Sequence, residues 1–200
     1  MKKYLLLILC SIIISGCATA PLNQRQYSFY YGAGTNAEAN NDLELAKKNF
    51  YKASWYAQTG LLGAEKEAWA IYEWARITGY LGDYEASKKA FIAAIELLEK
   101  ANGNNDQSIT PMLCELGHLH HDYGFYNDAA KAYNRVYTLL NKTNISQDDP
   151  IGYALLLESY SDSLKNAGQK EESLKIQEEA RILREANIDK EALHKPKKYK

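Results

Sequence analysis

The sequence predicts an all-α fold, a right-handed solenoid of about four helix-turn-helix repeats, and three observations predict it. Turn residues recur at a nearly constant interval, each opens a segment with the same helical pattern, and a small residue stands seven positions ahead of each turn. The openings are Asn41-Asp42-Leu43, Gly82-Asp83-Tyr84, Gly124-Phe125-Tyr126 and Gly168-Gln169-Lys170, with starts separated by 41, 42 and 44 residues. A fixed period of this size marks stacked repeats, in which no unit buries its apolar face alone.

Each element follows from that frame. After the turn, the first three repeats carry a small residue (Ala46, Ser87, Ala129), then an aromatic four positions on (Phe50, Phe91, Tyr133), then Ala53, Ala94 or Val136. Spacing of i, i+4 and i+7 puts these on one face of a helix. Before the turn stand Gly34, Ala75, Gly117 and Ser161, three of them directly after a large apolar residue, as in Trp74-Ala75, Leu116-Gly117 and Tyr160-Ser161. A small residue there lets one helix approach its neighbour. In the first repeat, Gly32 and Gly34 are expected to interrupt the first helix. Asp149-Pro150 and Thr110-Pro111 read as helix starts, a polar cap followed by proline in the first turn. The fourth repeat has Lys170 and Gln177 where aromatics are expected, which suits a polar capping unit. Residues 189–200 read as a frayed basic end, with Lys195, Lys197, Lys198 and Lys200 either solubilising the terminus or touching anionic lipid or peptidoglycan.

The Leu-Gly pair at Leu116-Gly117, the Gly-x-Tyr turns at Gly82 and Gly124, and the following alanine and aromatic resemble the tetratricopeptide repeat. Its usual period is about 34 residues, and the longer interval here is similar to the repeats of kinesin-light-chain type. The resemblance covers about residues 26–188. It implies that the fifth, ninth and twelfth places of each first helix line a groove that binds protein segments. Counted from the small residue at place eight, these are Tyr31 and Thr35, then Tyr72 and Arg76, then Cys114, His118 and His121, then Glu158, Asp162 and Lys165. In that reading Tyr72 is the leading aromatic anchor and Arg76 fixes register. The set does not match the Lys/Asn clamp with which chaperone-binding members hold a terminal carboxylate.

The leader supplies an address. Lys2 and Lys3 precede an apolar run from Tyr4 to Ile14, followed by small Ser15 and Gly16. That run is far short of the roughly 20 residues needed to span a bilayer as a helix. The segment Ile14-Ser15-Gly16-Cys17 resembles the bacterial lipobox, which implies cleavage before Cys17 and lipid on its sulfur. Two or more acyl chains give stable anchoring where one is marginal. Ala18, rather than Asp, points to the outer membrane facing the periplasm. The expected organisation is therefore a cleaved signal peptide at 1–16, lipidated Cys17 and tether at 17–26, repeats at 27–188 and a basic tail at 189–200.

The net charge is −1, but lysines at both ends leave an acidic body, which argues against a nucleic-acid groove. No phosphate loop, His-Glu-x-x-His motif, paired CxxC or nucleophile elbow is present, so no enzyme and no cofactor is expected. The expected function is a membrane-anchored adaptor or scaffold in the cell envelope, in a pilotin-like or hydrolase-adaptor role, with an envelope protein or peptide segment as partner. The alternative is a metal- or small-ligand-binding lipoprotein. Cys114, His118 and His121 share one helical face at i, i+4 and i+7 and have the chemistry to ligate zinc or copper.

Overall fold

A computed structural model describes residues 2–104, 106–193 and 197–199, with side chains described from Pro21 onward. Cys17 therefore lies outside the described side chains, and Lys195 and Lys200 lie outside the described residues. Among the described residues there is no strand. The helices are α1 (Lys2–Ala39), α2 (Leu43–Thr59), α3 (Ala64–Tyr80), α4 (Tyr84–Asn102), α5 (Thr110–Asp122), α6 (Tyr126–Leu140), the short α7 (Ile145–Asp148), α8 (Pro150–Asn166) and α9 (Lys170–Ala186). Two compact units divide inside α3, one ending at Ile77 and the other beginning at Thr78.

All four turns close in the same way. Asn41, Gly82, Gly124 and Gly168 take positive φ angles of 59°, 91°, 82° and 83°. At each, two N–H groups beyond the helix return to its last carbonyls. Gly124 N bonds His121 O at 2.9 Å and Phe125 N bonds His120 O at 2.8 Å, while Gly168 N bonds Lys165 O at 3.1 Å and Gln169 N bonds Leu164 O at 2.9 Å. Such a cap satisfies carbonyls that the helix end would orphan, and it needs a residue at ease in the left-handed region, normally glycine or asparagine. Asp42 and Asp83 then start the next helices by accepting from Leu45 N and Ala86 N, each at 3.1 Å.

The core follows the predicted stripe. Ala46, Phe50 and Ala53 are buried on α2, Ser87, Phe91 and Ala94 on α4, and Ala129, Tyr133 and Val136 on α6. The small residues ahead of the turns are close-approach points. A Cβ on Gly34 would stand 2.8 Å from the Phe50 ring, and one on Gly117 would stand 2.7 Å from the Tyr133 ring. The fourth repeat makes the same approach with polar atoms: Ser161 Oγ donates to Ser173 O and Ser173 Oγ to Ser161 O, both at 2.9 Å.

Three expectations require correction. Gly32 and Gly34 do not interrupt their helix, because α1 runs unbroken through both and Gly34 is the seat of Phe50. Thr110-Pro111 does not repeat the Asp149-Pro150 arrangement. Asp149 Oδ1 does accept from Gly152 N at 2.9 Å. Thr110, by contrast, is already helical, makes no capping bond and follows a 3₁₀ turn at Gln107–Ile109 that Asp106 caps instead. The C-terminal segment is not frayed throughout, since Tyr199 is only 4% exposed.

Candidate functional site

The expected groove residues of the first unit form an internal polar cluster. Arg76 Nη2 donates to Glu38 Oε1 at 2.6 Å, and Arg76 Nη1 pairs with Glu73 one turn earlier on α3. Tyr31 Oη donates to the same Glu73 at 3.4 Å, and the Arg76 guanidinium lies 5.8 Å from the Tyr72 ring centre. Burial raises the Glu73 carboxyl above its ordinary range, against the lowering effect of Arg76. Burial and the neighbouring Glu73 likewise raise the Tyr31 phenol. Tyr72 is buried at 8% exposure, edge-on to Trp69. Thr35 is exposed, with its hydroxyl donating back to Tyr31 O at 3.2 Å. Tyr72 is therefore wall rather than free anchor, and Arg76 holds two carboxylates of its own unit. Sequence reasoning missed Glu38, although it occupies place twelve of its helix, and it missed Glu73.

In the second unit, Cys114, His118 and His121 do share α5 but diverge in environment. Burial pushes the Cys114 thiol up to about 12, with Glu115 adding to the rise. His118 packs edge-on to Tyr133 with ring centres 5.6 Å apart, and both its ring nitrogens are buried without a hydrogen-bond partner. Desolvation lowers its pKa, opposed by Glu115 and Asp122. His121 turns away: its Nε2 lies 2.9 Å from Asp162 Oδ2, and its Nδ1 lies 3.3 Å from Asp122. Glu158 is held by Arg184 of α9 in a two-pronged pair, one prong at 2.7 Å.

Among the described residues, no group of three or more His, Cys, Asp or Glu side chains is arranged to hold a metal ion. Cys114, His118 and His121 are not gathered into one ligand set. Equal helical spacing puts three donors on one face, but one is a raised thiol in the wall, one is packed on an aromatic and one is engaged by carboxylates. His120 is buried and joined to Tyr84 Oη at 2.8 Å through Nδ1, a core position.

The same face of this unit holds a segment of the chain itself. Tyr199 stacks on Tyr80 and lies against Gly79, with its backbone N–H donating to Asp122 Oδ2 at 2.8 Å. Gly79 is place twelve of its helix, the register that Glu38 and His121 occupy in theirs.

No protein-family model matches the chain, and no curated protein matches it. Solved structures do. The chain is similar to BtubC (BKLC) from P. vanneervenii at 16% identity and a TM-score of 0.74, over 86% of this chain and 68% of that one. It is similar to a Podosopora anserina putative kinesin light chain of nearly identical TPR-like repeats at 13% identity and a TM-score of 0.68, over 82% and 75%. The chain has the tetratricopeptide-repeat (TPR) fold. A further TPR protein, YrrB, described as having an unusual peptide-binding site, aligns at 16% identity and a TM-score of 0.58, over 90% of this chain and 84% of that one. The likeness to kinesin-light-chain repeats accords with the long period, and the all-α TPR solenoid class expected from the turns is the class found.

Proposed function

We propose that this TPR protein is a lipid-anchored, non-enzymatic adaptor of the bacterial cell envelope, tethered through Cys17 and holding a segment of a partner protein on its first-helix faces. The observation that carries the binding half is the seat at Gly79, Tyr80, Glu115 and Asp122, which already accommodates a stretch of polypeptide by side-chain and backbone contacts. The resemblance of Ile14-Ser15-Gly16-Cys17 to the lipobox supports the anchoring half. Among the described residues no helix is long and apolar enough to cross a membrane. In this reading the pairs His121–Asp162 and Glu158–Arg184 order the first-helix face of the second unit, and the outer-membrane address follows from Ala18.

Anchoring is tested by replacing the lipid acceptor. Wild-type protein is expected to take up labelled palmitate and fractionate with membranes, whereas Cys17→Ala takes up none and is released into the soluble envelope fraction. Unlabelled wild-type protein would end the lipoprotein reading. Partner binding is tested by placing a photo-crosslinking residue at position 162 in cells. A discrete adduct is expected there and none from exposed position 138 on α6. Identical adduct patterns at the two positions would remove the groove from the proposal.

A further inference from the structure

The tail of this chain behaves as a ligand of its own fold. After α9 ends, Leu193 N donates to Asp149 Oδ1 at 3.3 Å, so the chain turns back across the start of α8. Lys197 and Tyr199 lie at the ends of α3 and α5. The Tyr199 ring stacks on Tyr80 with centres 4.6 Å apart and planes 21° apart. A Cβ on Gly79 would stand 2.7 Å from Tyr199 Cε1, so any larger residue there would close the seat. The same Cβ would stand 2.8 Å from Ser87 Oγ, so the glycine serves the helix contact as well.

Polar contacts fix the ring at both ends. Tyr199 Oη donates to Glu115 Oε2, and Tyr199 N donates to Asp122 Oδ2 at 2.8 Å. These carboxylates lie seven residues apart on α5, two turns of one helical face. Lys197 Nζ lies 6.0 Å from the Tyr80 ring centre. A tyrosine among lysines ordinarily stays close to solvent. Here it is buried at 4% exposure by an aromatic stack, a hydroxyl bond and a backbone bond. The geometry reads a tyrosine in a basic context: the glycine admits the ring, Glu115 tests for its hydroxyl, and the acidic face favours flanking lysines.

We infer that this seat is a recognition site for a tyrosine-bearing basic peptide segment, and that the chain's own Lys197-Lys198-Tyr199 occupies it as an intramolecular competitor. The inference rests on the adaptor reading and names its partner chemistry and its regulation. About twelve residues of extended chain reach roughly 40 Å, ample to bring the tail from Asn187 back to α5. A short tether of that length presents its end at an effective concentration on the order of millimolar. A partner carrying an equivalent segment must therefore bind more tightly than the tail or carry a second contact.

The test uses the 200-residue chain and a fluorescein-labelled peptide of sequence Leu-His-Lys-Pro-Lys-Lys-Tyr-Lys, read by anisotropy. Tyr199→Ala empties the seat and is expected to bind the peptide at least tenfold more tightly than wild type. Adding Glu115→Gln to Tyr199→Ala should weaken that binding at least fivefold, as should replacing the peptide's tyrosine with phenylalanine. Trypsin cleavage at Lys197 and Lys198 should be faster in Tyr199→Ala than in wild type, with the helix content of both proteins unchanged. Equal peptide affinity for the two proteins, including no binding to either, overturns the inference, as do equal cleavage rates. The adaptor reading fails separately, through the crosslinks at position 162 and the palmitate label.

Discussion

Tyr133→Ala is expected to lower the stability of the second unit by about 3–5 kcal/mol, the range for deleting a fully buried aromatic side chain. The ring is completely inaccessible and lies directly against Gly117 of α5. It also packs on His118 and Tyr160, so its loss opens space that three neighbours cannot fill without moving. Thermal unfolding followed by circular dichroism should show a midpoint lower by roughly 10 °C. Pairing the change with Gly117→Ala separates mechanisms. In wild type, the added methyl meets the ring and should cost about 1–3 kcal/mol as overpacking. With Tyr133 already removed, the same methyl should cost little or become stabilising. Additive costs in the double variant would mean that Gly117 is required for some reason other than this ring.

Arg76→Met is expected to destabilise the first unit by about 2–3 kcal/mol at pH 7, below the full cost of breaking a deeply buried pair because its side chain and those of Glu38 and Glu73 keep about a sixth of their surface. Methionine preserves most of the packing volume but leaves two carboxylates facing each other. The pH dependence fixes the cause. Burial already raises Glu73 in the folded protein, so the folded state takes up its proton at higher pH than the unfolded state. Its contribution to stability therefore improves as pH falls through the folded value toward the unfolded one. Removing Arg76 takes away a lowering influence and widens that window, so the deficit of Arg76→Met should shrink between pH 7 and pH 5. A deficit constant over that range would assign the loss to packing. A variant as stable as wild type would return Arg76 to the role of a partner-binding residue.

The fold was legible because its signals are local. A positive-φ residue, an acid cap at Asp42 or Asp83 and an apolar stripe are all specified within about a dozen residues, and the helices start at Leu43, Tyr84, Tyr126 and Lys170, the third residue of each predicted opening. The candidate site was legible only as a set of positions. Register placed Tyr31, Arg76, His121 and Asp162 on first-helix faces, but their state depends on residues a whole repeat away. Tyr31 meets Glu73 across 42 positions, Arg76 meets Glu38 across 38, and His121 meets Asp162 across 41. The tail was least legible, because Tyr199 finds Asp122 and Glu115 at separations of 77 and 84. A run of lysines ordinarily belongs in water, and one tyrosine among them was the sole sign of an interior destination. The Gly34 misreading has a similar origin: helix propensity counts the flexibility of glycine as a defect, whereas packing against Phe50 requires its small size.

The four turns have one more implication, for how this architecture tolerates changes in length. Residues 40–42, 81–83, 123–125 and 167–169 are each three-residue links, whereas the links 60–63, 103–109 and 141–149 grow from four to seven to nine. The unequal spacing of the repeats is thus carried by helix lengths and by the connections between hairpins, never by the hairpin bends. One residue added within a bend would break the paired bonds that close it and displace the following helix from its interface, while the longer links can absorb such a change by relaxing. Evolutionary drift in size, grafted epitopes and engineered joints all have their permitted locations in this chain at those three connections.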